Sequence, residues 1–253
     1  MTADPGEPTG QEQSFLSHLV ELRSRLLRAL AAVVVVFFVL VPFANRIYTL
    51  LAAPLLARLP KGASMVAIDV ITPFFTPLKM AFFCAVFITV PFLLYQAWAF
   101  VAPGLYRHER RLAVPLLASA TLLFYVGCAF AYFVVMPLVF KFLTASVPEG
   151  VAMMTDISHY LDFVLVMFFA FGLCFEVPVA TVILVILGVV TPEKLRQSRG
   201  YVIVGAFVVA AVITPPDALS QILLAVPMII LFEIGLIAAR AVARRRVTEE
   251  AKP

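Results

Sequence analysis

Two carboxylates stand among arginines at the edges of apolar runs. Glu21 lies in His18-Leu19-Val20-Glu21-Leu22-Arg23, with Arg25 and Arg28 following. Glu109 lies in the run from Pro103 to Arg111, beside Tyr106, Arg107, His108, Arg110 and Arg111. If both segments face the cytoplasm, acids at these two places suit a cationic ligand that arrives from that side. A bland reading competes. Glu21 and Arg25 are spaced i, i+4, and such a helical pair is worth about 0.3 to 0.5 kcal/mol. Glu109 has arginines beside it, and solvated surface pairs contribute little.

Glu176 poses a different problem. It sits inside Phe168-Phe169-Ala170-Phe171-Gly172-Leu173-Cys174-Phe175-Glu176-Val177-Pro178. A carboxylate within a membrane span costs a few kcal/mol, so it needs a partner, water or a function. Pro178 frees a carbonyl nearby and makes a polar pocket plausible; a protonated acid bonding two helices is the alternative. Lys79, Asp162 and Glu233 lie nearer span ends, where long side chains snorkel at low cost. Gln221 and Thr214 flank a turn and suit hydrogen bonds across helices.

No enzyme chemistry is legible. His18, His108 and His159 lie on separate segments, and the chain has no HExxH, Gly-x-Ser-x-Gly or phosphate-binding glycine loop. Cys84, Cys128 and Cys174 all fall inside apolar runs, as small buried side chains do. No metal motif and no cofactor site is expected.

The elements that must position these groups are membrane helices. The 253 residues are 63% hydrophobic and 13% charged, against about 25% charged in a soluble domain. A net charge of +4 spread over span-flanking segments is not a nucleic-acid footprint. Six apolar stretches are read as spans, at about 26–43, 77–98, 112–137, 161–189, 201–213 and 221–239. This predicts an all-α integral membrane protein, a bent and concave bundle of six helices. Prolines 91, 115, 137, 178 and 227 would bend the helices. The last two spans are read as short. Thirteen residues reach about 20 Å against a hydrocarbon core of about 30 Å, and only eleven residues separate Gln221 from Glu233. Residues 1–14 are polar and read as a disordered cytoplasmic start, 15–240 as the membrane domain, and 241–253 as a basic cytoplasmic tail. The connection 44–76, with Pro54 in it, reads as a short amphipathic helix lying over the membrane.

Basic residues set orientation. The termini and even-numbered connections hold most of them, including Arg23, Arg107, Arg196 and Arg244. Both termini are therefore expected in the cytoplasm, with Glu21 and Glu109 on that face. A proton-coupled solute transporter using Glu176 is the alternative function, but no internal repeat supports it.

Four motifs carry a resemblance. They are His18-Leu19-Val20-Glu21-Leu22-Arg23, the run from Phe100 to Arg111, the run from Ala170 to Pro178, and Thr214-Pro215-Pro216-Asp217. In this order they resemble the TatC family, the receptor subunits of the bacterial twin-arginine translocase. The likeness extends over nearly all of residues 14–240. It implies a receptor in the bacterial inner membrane for twin-arginine signal peptides of folded cargo, driven by the proton-motive force. It also implies TatB and TatA as single-span partners and a homo-oligomer within the complex. By that likeness Glu21 and Glu109 face the two arginines, with His18, Leu22, Arg23, Pro103, Tyr106 and Arg110 around them. Pro54, Thr214, Pro215, Asp217 and Gln221 are carried as partner-contact or structural positions, and Glu176 as an intramembrane polar group.

Overall fold

The computed structural model describes residues 10–56, 65–101, 113–145, 155–213 and 218–250. Nearly all of them are helical. α1 spans Gly10–Leu40 and passes through a 3-10 turn, Val41–Phe43, into α2, Ala44–Leu56. α3 is Thr72–Val101. α4, Ala113–Phe130, continues through a π turn, Ala131–Val135, into α5, Met136–Ala145. α6 is Ile157–Ile186, α7 Pro192–Gln197, α8 Arg199–Ile213 and α9 Ala218–Glu250. Two two-residue strands, β1 (Met65–Val66) and β2 (Thr155–Asp156), pair in parallel. That pairing ties the α2–α3 connection to the α5–α6 connection at one end of the bundle.

Five helical stretches are long and apolar enough to cross a membrane: 18–50, 72–100, 114–142, 157–186 and 221–244. The shorter apolar helix α8 is the remaining expected span. With 15 residues, it reaches about 22 Å, so the expectation of a short fifth span holds. The sixth does not fit that expectation. Its helix runs unbroken to Glu250, and its apolar stretch of 24 residues extends past Glu233 to Arg244. The reason is visible at Glu233: Arg199, at the start of α8, bonds its Oε2 at 2.6 Å. The acid is neutralised in place and need not end the span. At the other end of the chain, α1 begins at Gly10 and overlaps the start expected to be disordered, while residues 1–9 lie outside the described residues. Of the connection 44–76, where a short helix was expected, Ala44–Leu56 is helical and Met65–Val66 is strand. α2 packs on α3, and its Ile47 lies against the cluster formed by Met80 of α3 with Leu161 and Leu165 of α6.

α6 is the organising helix, lying against α3, α4 and α9. Lipid is as apolar as the side chains, so burial of oil surface does not drive these contacts; close packing does. Two glycines show it. A Cβ on Gly127 of α4 would stand 2.5 Å from the Phe171 carbonyl oxygen of α6. One on Gly235 of α9 would stand 2.8 Å from Pro178 Cα. Only glycine lets these backbones meet. Phenylalanines fill the space beside them. Phe87 makes edge contacts with Phe124, Phe168 and Phe169, at centroid distances of 5.5, 5.9 and 5.7 Å, a geometry that aligns ring edges with ring faces. Phe171 and Met167 are fully enclosed. The π turn falls just before Pro137, whose ring would clash with the carbonyl four residues back and which has no N–H to give. The wider turn absorbs that clash without ending the helix.

Candidate functional site

Glu21 lies on α1, about 28 Å from the helix end at Leu40 if each residue rises about 1.5 Å. Its carboxylate is asymmetrically engaged. Arg25, one turn on, donates to Oε1 from both Nε (3.0 Å) and Nη2 (2.5 Å). Oε2 faces His18 Nδ1 at 3.9 Å, beyond hydrogen-bond reach. A carboxylate offers about four lone-pair sites, so Oε2, which takes no hydrogen bond among the described residues, stays open to a second donor. The side chain is one-third exposed, and Leu22 and Arg23 beside it are exposed. The helical pair anticipated between Glu21 and Arg25 is therefore present, and it uses only one oxygen.

His18 fixes where this end of α1 sits. Its ring stacks on Phe100 of α3, with centroids 4.2 Å apart and planes 19° apart. Glu21 thus lies beside the point where α3 ends, at Val101. The chain runs from there into residues 102–112. Pro103, Tyr106, Arg107, Glu109 and Arg110 are in that segment and lie outside the described residues, so the structure does not test whether Glu109 joins Glu21. Phe100 was not singled out as a contact by the sequence, although it opens one of the four motifs and ends an apolar run.

Glu176 stands apart from this site, on α6 two residues before Pro178. Its Oε1 is buried with no hydrogen-bond partner among the described residues. Close by, Thr181 Oγ1 donates to the Pro178 carbonyl at 2.8 Å. Gln221 Nε2 donates to the Phe207 carbonyl at 3.3 Å and joins α9 to α8, as its place beside the turn suggested. Thr214, Pro215 and Asp217 lie outside the described residues. Pro54 lies within α2.

The charges expected to snorkel separately are instead paired across helices. Lys79 of α3 donates to Asp162 of α6 at 2.6 Å, and Arg199 and Glu233 join α8 to α9. No group of three or more metal-ligating side chains occurs among the described residues.

The helices and their paired charges define a multi-pass membrane protein. Comparison with known proteins then gives its kind. The family model "Sec-independent protein translocase protein (TatC)" matches residues 17–227. The Sec-independent protein translocase protein TatC of Escherichia coli K12 is 57% identical over 228 residues, covering 90% of this chain and 88% of that protein. That of Haemophilus influenzae is 56% identical over 230 residues, covering 91% and 90%. A crystal structure of the twin-arginine translocase receptor TatC superposes with a TM-score of 0.79 at 38% identity, covering 88% of this chain and 98% of that one. A second such structure, in DDM, gives 0.80 at 37%, covering 88% and 99%. The chain belongs to the TatC family of Sec-independent protein translocase proteins.

Proposed function

We propose that this protein is the receptor subunit of a twin-arginine translocase, and that Glu21 binds one arginine of the signal peptide through Oε2. The half-free carboxylate carries this reading: Arg25 pins Oε1 and fixes the rotamer, while Oε2 remains open. An incoming guanidinium meets an acceptor already oriented, so little side-chain entropy is lost on binding. Glu109 is the second acid in this reading, supplied by the segment that leaves α3 beside His18. Leu22, Pro103 and Tyr106 give apolar contact; Arg23 and Arg110 orient the acids and repel a peptide docked in the wrong register.

The same proposal places the protein in the bacterial inner membrane with both termini in the cytoplasm, 15–240 as the membrane domain and 241–253 as the basic tail. Single-span TatB and TatA would assemble on it, with further copies of this chain, and the proton-motive force would drive transport. Pro54, Thr214, Pro215, Asp217 and Gln221 are proposed as structural or partner-contact positions. Glu176, with its unpartnered oxygen, is the intramembrane polar group.

A photoreactive residue at Val20, exposed on α1 one position before Glu21, tests the site. It should crosslink an Arg-Arg signal peptide and not a Lys-Lys one. Equal crosslinking of both would remove Glu21 as the arginine reader. Orientation has its own check. A cysteine at Ser146 should react with an impermeant thiol reagent applied from outside, and one at Ser198 should not; the reverse pattern overturns the topology.

A further inference from the structure

A second polar site lies at the opposite end of the bundle from Glu21. α1 runs away from Glu21 to Leu40, and α3 starts there at Thr72 and returns along it. Between the start of α3 and the start of α6 is a cavity of about 130 Å³. Asp69, Thr76, Lys79, Ser158 and the side chains of Ile71 and Phe75 line it. The β1–β2 pairing and the Asp156 cap of α6, which accepts from Ser158 N–H, hold its two walls together.

Three observations give this cavity a ligand chemistry. Thr76 is 3% exposed, and its hydroxyl has no hydrogen-bond partner among the described residues. An unpaired buried hydroxyl costs about 1 to 3 kcal/mol, which a bound acceptor would remove. Lys79 has three donors and gives one of them to Asp162. Asp69, on the other side, is exposed and makes no ion pair among the described residues. The lining thus carries one cation with spare donors, one free acid and an idle hydroxyl.

The surroundings name the source. Ile68, Val70, Ile71, Phe74 and Phe75 are all exposed around the cavity. A contiguous apolar rim on a membrane protein, at the end of a span, is a surface for lipid chains. The cavity, about 130 Å³ and open to the outside, has room for a phosphate and leaves the longer parts of a ligand outside it.

We propose that this cavity binds the headgroup of a zwitterionic phospholipid, a phosphoethanolamine. The phosphate accepts from Lys79 and Thr76, the ammonium donates to Asp69, and the acyl chains lie over Ile71, Phe74 and Phe75. An anionic headgroup without an amine would leave Asp69 facing a second negative charge. In the orientation proposed above the lipid belongs to the outer leaflet, beside the connection that follows α2.

Native mass spectrometry of the full chain, offered equal amounts of phosphatidylethanolamine and phosphatidylglycerol, tests this. The wild type should retain one phosphatidylethanolamine in at least threefold preference. Asp69→Asn should bring the two lipids to parity, and Thr76→Val should lower retention of phosphatidylethanolamine by about threefold. Neither change touches the Lys79–Asp162 pair, and Thr76→Val removes an unpaired buried hydroxyl, so neither variant should lower the unfolding temperature, which separates loss of the site from loss of the fold. Soluble glycerophosphoethanolamine at the same concentration should not displace the lipid. The proposal is overturned by equal retention of both lipids in the wild type, by both variants keeping full preference, or by displacement with the soluble headgroup, which would make this a site for a free phosphate ester. Binding of an Arg-Arg peptide is unaffected in every case, so failure here leaves the receptor reading standing.

Discussion

Glu21 and Glu176 are both glutamates on helices of one chain, and the structure treats them oppositely. Glu21 stands about three turns into α1, one-third exposed, with one oxygen gripped by Arg25 and the other without a hydrogen bond among the described residues. Glu176 stands within an apolar helix, with a buried oxygen that nothing among the described residues satisfies. The first is an acceptor with one oxygen held by a neighbouring charge. The second is a polar group whose cost nothing described here offsets. Side-chain type says little; the level in the membrane and the neighbours one turn away decide what a carboxylate can do.

The largest expected effect lies at Glu176. Because no described group bonds Oε1, Glu176→Leu removes no hydrogen bond and should leave the protein abundant and inserted. Export of a folded twin-arginine reporter should nevertheless fall by at least tenfold. A variant that disappears from the membrane would show that the acid holds helices together. One that exports normally would show that it has no role.

Packing around Glu176 comes next. Gly235→Leu places a side chain where a Cβ already stands 2.8 Å from Pro178 Cα. Overpacking of this kind costs about 1 to 3 kcal/mol, and the melting temperature of the purified protein should drop by several degrees. A Tm equal to that of wild type would mean α9 and α6 are not held as closely as described. The same substitution should leave peptide affinity at the Glu21 end unchanged, which sharpens the contrast between the two regions.

The smallest effect concerns the grip on Glu21. Arg25 holds Oε1 and so orients the carboxylate for an incoming guanidinium. A pair this exposed is worth about 0.2 to 1 kcal/mol, so Arg25→Gln should lower affinity for an Arg-Arg peptide by up to about fivefold. Titration calorimetry reads this directly. A gain of affinity would make Arg25 a competitor for the carboxylate and not a positioning residue.

Much of this was legible in the sequence, for stated reasons. Runs of apolar residues marked all six spans and the shortness of the fifth, because bilayer thickness fixes length. The Glu21–Arg25 bond followed from helical spacing. The extent of α9 did not follow: Glu233 reads as a stop until Arg199, 34 positions away in sequence, is seen to neutralise it. Lys79–Asp162 was hidden in the same way, since 83 positions separate the partners. The His18–Phe100 stack was equally out of reach, as no periodicity links the start of one helix to the end of another. Local rules reveal pairs within one helix; pairs between helices emerge only from the fold.

The central claim is that Glu21 reads an arginine, and affinity of a twin-arginine signal peptide for the purified protein tests it most directly. Loss of a charge-assisted pair costs about 1.5 to 3 kcal/mol, so Glu21→Gln, which keeps shape and helix, should weaken binding of an Arg-Arg peptide by roughly ten- to a hundredfold. A Lys-Lys peptide should bind the wild type poorly and lose little on the same change. If the Gln variant binds the Arg-Arg peptide as tightly as wild type, Glu21 is no more than the surface partner of Arg25, and the account of this site is wrong.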